Sequence, residues 1–203
     1  MISSLRKRSI KIKADERGIS AVEFALILPV MIALYLGCIE LTLAMNLDRK
    51  VTGATAALGD LTARSASLTD AELSDIFEAT RMVLQPNDMT KAHMRVTSVS
   101  YDSTVHTVTA TETEVNVDWS DNCGSEYSTL VADTTIRIPN DLVPDGGTLI
   151  MAEISFPYDS PIGYFFPSQK MLSDTFYLRP RRVDSITRTT TSAVTCGYTP
   201  PIP

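Results

Sequence analysis

Two residues near the N-terminus, Gly18 and Glu23, have types and a spacing that point to chemistry. Gly18 ends a basic segment, and Glu23 lies five residues later in the first part of the only long apolar run. Without a Cβ atom, the chain at Gly18 can lie extended against another backbone. An ionised carboxylate near hydrocarbon costs roughly 3 kcal/mol unless it is paired. Glu23 therefore either has a cationic partner or reaches the lipid headgroups without a specific role.

The remaining candidates for reactive chemistry are weak. His93 and His106 lie in strand-like sequence without the spacing of a metal site, and Asp121-Asn122 beside Trp119 is typical of a turn. The sequence contains no nucleophile elbow, P-loop or dinucleotide fingerprint. We expect a protein that is not an enzyme and that has no cofactor, no metal site and no small-molecule substrate. An anchored hydrolase, a weak alternative, would need a pocket of titratable groups that no motif identifies.

The apolar run, Ile19 to Met45, predicts a membrane-spanning helix. Its 27 residues would extend about 40 Å, which is long enough to cross a bilayer and too long for a cleaved secretory signal. Six basic residues precede it, a flank that the positive-inside rule places in the cytoplasm: Arg6, Lys7, Arg8, Lys11, Lys13 and Arg17. We predict a leader over residues 1–18, a transmembrane helix over 19–46 and an extracytoplasmic head over 47–203.

The stretch from Glu16 to Pro29, ERGISAVEFALILP, resembles a prepilin, and specifically the TadE-like pseudopilins of the tight-adherence (Tad/Flp, type IVc) pilus systems. The resemblance is strong over residues 17–45. It implies that a prepilin peptidase cleaves between Gly18 and Ile19, and that Glu23 and Phe24 act in assembly. Glu23 would then pair with the free α-amino group of a neighbouring subunit. The implied partners are the peptidase, other pilins and inner-membrane pilus assembly proteins.

Hydrophobic periodicity predicts an α+β head. A stripe of apolar residues continues the first helix and should pack against the head, or less favourably form a coiled coil with another subunit: Leu47, Val51, Ala54, Leu58 and Leu61. Thr69-x-x-Glu72 is a capping-box spacing, and Pro86 should end the second helix. Alternation predicts an antiparallel sheet with strands from Met94, over Val105–Thr109, Glu114–Trp119, Thr134–Ile138 and Thr148–Phe156. Asp102-Ser103-Thr104 is interpreted as the first hairpin turn, and the tail after Thr189 as irregular.

The cysteines fit an oxidising compartment. Cys38 lies in the apolar helix, whereas Cys123 and Cys196 lie in polar, glycine-flanked sequence and are the expected disulfide. Closure of so long a loop would contribute roughly 4 kcal/mol. The alternative is two unpaired thiols.

The acidic balance of the chain, a net charge of −6, argues against nucleic-acid binding. Glu40, near the outer end of the predicted span, is interpreted as an ordinary interfacial carboxylate. We therefore predict a minor pilin or pseudopilin of the bacterial inner membrane, with its N-terminus in the cytoplasm and its head in the periplasm, that acts in pilus assembly or adhesion. The alternative is an unprocessed, single-pass anchored module whose head binds a ligand in the periplasm or at the cell surface.

Overall fold

The structure, a computed structural model, describes residues 17–161, 163, 169–189, 194 and 196. It is an α+β protein, as predicted: a long apolar helix, a second helix and an antiparallel sheet. The elements in chain order are α1 (Arg17–Ala63), β1 (Ser67–Leu68), α2 (Asp70–Val83), a 3-10 turn (Met89–Lys91), β2 (His93–Ser100), β3 (Glu112–Cys123), β4 (Thr135–Pro139), β5 (Thr148–Tyr158), β6 (Lys170–Leu178) and β7 (Thr187–Arg188). The leader before Arg17 lies outside the described residues.

Helix α1 has two parts with different surroundings. Its N-terminal part is apolar and exposed, whereas Leu47, Val51, Ala54 and Leu58 are buried in the core of the head. The amphipathic stripe therefore packs against the head, and this prediction is confirmed for those four residues.

The glycine at position 59 is explained by the packing of α1 against the sheet, which the sequence did not reveal. A Cβ atom at this position would overlap the side chain of Leu178 on β6 and touch that of Ala152 on β5. A glycine disfavours the helix locally. Here it allows α1 to lie close against the sheet.

Helix α2 begins with the predicted capping box. The Thr69 hydroxyl accepts a hydrogen bond from the Glu72 backbone N–H (3.3 Å), and the Glu72 carboxylate accepts one from the Thr69 N–H (2.9 Å). Leu73 and Phe77 are then buried against α1 and the sheet. The helix ends at Val83, three residues before Pro86.

The capping box predicts an acid-sensitive contribution to stability. Hydrogen bonds from the backbone and hydroxyl of Thr69 lower the pKa of Glu72 from 4.5. A lowered pKa stabilises the fold above the unfolded value, and this contribution is lost as the pH falls below about 4.5. Glu72→Gln keeps an acceptor at this position but does not titrate. We expect its free energy of unfolding to fall less steeply than that of the wild type between about pH 5 and pH 3, with Glu78→Gln as the matched control; equal slopes for all three proteins would contradict the prediction.

The main sheet has five antiparallel strands in the order β4-β3-β2-β5-β6. Its central strand, β2, pairs with β3 and β5, and α1 and α2 contribute to the larger core together with the sheet. A smaller apolar cluster lies elsewhere in the sheet: Val99, Val115, Val117, Ile138 and Leu149. The short strands β1 and β7 form a separate parallel pair. The predicted strands at Thr134–Ile138 and Thr148–Phe156 correspond to β4 and β5.

The predicted strand Val105–Thr109 is wrong. Only an isolated bridge between Val108 and Thr113 occurs there, and the connection from β2 to β3 runs over residues 101–111. The Asp102 carboxylate accepts hydrogen bonds from the backbone and hydroxyl of Thr104, and the Asp102 carbonyl accepts one from the His106 N–H. These local bonds hold residues 102–106 in a turn. Backbone pairing with β3 is limited to Thr107, whose carbonyl accepts from the Glu114 N–H (3.0 Å), and Thr109, whose N–H donates to the Glu112 carbonyl (2.8 Å). The three-residue hairpin turn predicted at residues 102–104 is thus part of a longer loop.

A disulfide joins Cys123, at the end of β3, to Cys196. This is the pair that the sequence favoured, and it links residues 73 positions apart. Cys38 is free and exposed on α1. Most of the tail after Thr189, which was expected to be irregular, lies outside the described residues.

Candidate functional site

The predicted processing and assembly residues lie together at the start of α1. Ile19 and Phe24 are 57% and 59% exposed, and Glu23 is also exposed. Ile19 and Glu23 are four residues apart and therefore lie on the same side of the helix, one turn apart. No atom outside the local helix lies within 4 Å of a Cβ placed on Gly18. Within the described residues, the head therefore leaves this segment open to other molecules.

The apolar surface of α1 below the head is exposed. Residues Gly18–Ala63 form one helix that is long and apolar enough to cross a membrane, and none of its most apolar 18-residue window is buried in the protein. An apolar surface of this length is unfavourable in water. It is compatible with a single-pass membrane anchor.

The prediction that Glu40 is an ordinary interfacial carboxylate is wrong. It is fully buried, because the C-terminal end of β5 and the residues after it pack over this part of α1. Ser160 Oγ donates a hydrogen bond to the Glu40 carboxylate, and the Tyr158 hydroxyl donates one to the Glu40 carbonyl (3.4 Å). No sequence pattern indicates this contact, because the residues involved are about 120 positions apart.

A groove of about 310 Å³ lies where α1 enters the head. Its walls include Leu43, Leu47 and Phe156, and an exposed ion pair between Lys91 and Asp159 (2.9 Å) borders it. The hydrogen bond from Lys91 lowers the pKa of Asp159, and the same contact raises the pKa of Lys91. Both groups therefore remain charged at neutral pH. Such a pair holds the edge of the groove but offers no general acid or base near neutrality.

The described part of the chain contains no group of three or more His, Cys, Asp or Glu residues that could hold a metal ion. His93 instead accepts a hydrogen bond from the Ser125 backbone N–H at Nδ1 (3.1 Å). His106 packs beside Tyr101, with ring centroids 6.1 Å apart. Both histidines are thus in local contacts of the head.

A buried ion cluster joins the two-stranded sheet to the rest of the head. Arg188 on β7 donates to Asp121 on β3 (Nε to Oδ2, 2.7 Å) and to Asp70 at the start of α2 (2.8 Å). Its guanidinium also donates to the Leu68 carbonyl of β1 (3.2 Å). No sequence pattern indicates this cluster, since Arg188 lies 67 positions from Asp121 and 118 positions from Asp70.

The described part of the chain consists of one long apolar helix that runs into an α+β head. The family model described as TadE-like protein matches residues 18–58, which include the exposed apolar part of α1 and most of its buried stripe. Over these residues the chain is similar to the TadE-like proteins of Tad pilus systems, the family whose resemblance the sequence analysis described. No curated protein and no solved structure matched the chain.

Proposed function

We propose that this protein is a minor pilin or pseudopilin of a Tad-type pilus, that it is processed after Gly18, and that it acts in pilus assembly or adhesion. The observation that carries the proposal is the exposed carboxylate of Glu23, one helical turn from Ile19 on an apolar helix that the head leaves uncovered. Such a carboxylate in hydrocarbon requires a cation. The new α-amino group of a neighbouring processed subunit is a suitable cation, because its charge lies at the end of the same kind of helix.

The proposed topology follows from charge and from the disulfide. The basic leader remains in the cytoplasm, and the head lies in the periplasm. The bond between Cys123 and Cys196 supports this orientation, because disulfides persist in oxidising compartments. The protein is then incorporated with other pilins into the assembly.

The proposed partners act at different stages. A prepilin peptidase of the inner membrane removes the leader, and inner-membrane assembly proteins and other pilins receive the processed helix. The groove and the exposed loops of the head are available to select among these partners. No nucleic acid or small-molecule substrate is part of the proposal.

N-terminal sequencing of the membrane-extracted protein tests the processing step. We expect the chain to begin at Ile19 in cells with the peptidase and at Met1 in cells without it. The Gly18→Val variant should begin at Met1 in both strains, because a branched Cβ opposes close approach of the backbone to the protease. Ser20→Ala, two residues beyond the bond, is the matched control and should be processed.

A start at Met1 in both strains would contradict processing and favour the alternative of a permanently anchored binding module. The groove of about 310 Å³ at the base of the head is the feature that such a module would offer to a ligand. The peptidase-dependent start at Ile19 would instead show that the helix is made available for assembly.

A further inference from the structure

The guanidinium of Arg81 lies against the disulfide. Arg81 is 5% exposed, and its Nη2 lies 2.9 Å from the Sγ atom of Cys123. Its Nε atom is buried and has no hydrogen-bond partner. Within the part of the chain that the structure describes, none of the ion pairs involves Arg81.

While the disulfide is closed, the buried positive charge of Arg81 has few favourable interactions to offset its loss of hydration. A sulfur atom in a neutral disulfide is a weak acceptor, and a buried charge without a counterion is unfavourable. The C-terminal end of α2, where Arg81 lies in the last turn, compensates it only in part. If the disulfide is reduced and Cys123 ionises, the same position provides a negative charge beside the guanidinium.

We propose that Arg81 stabilises the thiolate of Cys123 and thereby makes this bond a site of thiol–disulfide exchange with a defined order of attack. Cys123 is 2% exposed, whereas Cys196 is partly exposed. An external thiol or disulfide therefore reaches Cys196 first. Cys123 is the internal thiol that completes the bond or leaves from it.

The two cysteines are oxidised in two steps, with a small disulfide such as glutathione disulfide as the oxidant. The Cys196 thiolate attacks one sulfur of the oxidant, which forms a mixed disulfide and releases the first thiolate. The Cys123 thiolate, held by Arg81, then attacks Cys196 Sγ, and the second thiolate leaves. The protein loses two electrons and two protons, and the oxidant's disulfide becomes two thiols.

The order of attack makes capture of the C-terminal tail a late step. Arg81 reaches Cys123 only when α2 has packed against the end of β3, so the stabilised thiolate exists only in the folded head. Closure at Cys196 then attaches the tail to a head that is already formed. Reduction follows the reverse path, with Cys123 leaving as the stabilised thiolate.

Equilibration in glutathione buffers tests the proposal with the full chain in detergent, in a Cys38→Ser background. Arg81→Gln should make the disulfide harder to reduce, because the reduced state loses its stabilised thiolate. If the titration midpoint of Cys123 rises from about 6.5 to about 8.5, the equilibrium constant for closure rises roughly fourfold at about pH 7 and more than tenfold at about pH 9. Arg81→Lys should retain most of the wild-type behaviour, and the exposed Arg181→Gln serves as the matched control. A constant for Arg81→Gln within twofold of the wild type at both pH values would overturn the proposal.

A second measurement does not depend on any Arg81 variant. In the folded Cys38→Ser/Cys196→Ser protein, Cys123 is the only thiol, and the ultraviolet absorbance of its thiolate can be followed against pH. We expect a midpoint clearly below the ordinary cysteine value of about 8.5. A midpoint at or above that value would overturn the proposal, even if Arg81→Gln fails to fold.

Discussion

Glu23→Gln is expected to reduce the amount of assembled pili by at least about tenfold while leaving the protein in the membrane. The amide has the same shape as the carboxylate but no charge to pair with an α-amino group, and such a pair is strong only where water is scarce. Insertion should be preserved, because the apolar surface of α1 is unchanged and removal of a charge favours hydrocarbon. Pili sheared from the cell surface and the membrane fraction are to be quantified in parallel.

Asp48→Asn is the matched control for this experiment. Asp48 is an exposed carboxylate on the same helix, beyond the apolar run, and its replacement should leave both amounts unchanged. Wild-type amounts of pili from Glu23→Gln would show that the charge has no role in assembly. An equal loss in both variants would likewise count against a specific role for Glu23.

Arg188→Met is expected to lower the free energy of unfolding of the head by about 3–5 kcal/mol, because it leaves a buried carboxylate without its counterion. The side chains of Arg188 and Asp121 are only 7% and 10% exposed, so water cannot replace the lost contact. Trp119 is the only tryptophan and donates a hydrogen bond to the Ile186 carbonyl (2.7 Å), two residues from Arg188. Its fluorescence during denaturant unfolding in detergent is therefore a suitable measurement.

Arg181→Met removes a comparable pair from the surface and serves as the control. Arg181 contacts Asp60 at 2.7 Å but is 54% exposed, so the expected loss is below about 1 kcal/mol. Similar losses for the two variants would contradict the argument that burial makes the Arg188 cluster important.

The parts of the fold that sequence reasoning predicted are those determined by local interactions. The capping box needs only Thr69 and Glu72, three residues apart, and the buried stripe of α1 follows from the helical period. The apolar run and its basic flank similarly lie in one continuous segment. The strand predicted at residues 105–109 does not form, because hydrogen bonds to Asp102 hold residues 102–106 in a turn and leave only Thr107 and Thr109 to pair with β3.

The candidate site likewise has features that the sequence predicts and features that only the structure reveals. The spacing of Gly18, Ile19 and Glu23 is visible in the sequence. The structure adds that these residues lie on a helix that the head does not cover. The burial of Glu40 could not be predicted, because the end of β5 reaches it from about 120 residues away. Strand β6 was also missed, although it forms one edge of the sheet beside α1.

The sequence by itself thus determined the apolar helix, its charged flank and the position of Glu23 within it, and it favoured Cys123 and Cys196 as the disulfide, because each of these depends on residue types in short segments. Only the tertiary structure decided which charges are buried. It placed Arg188 between two distant aspartates and Arg81 against the sulfur of Cys123. The physical reason is that the cost of burying a charge depends on its neighbours in space, and these neighbours come from elements far apart in the chain.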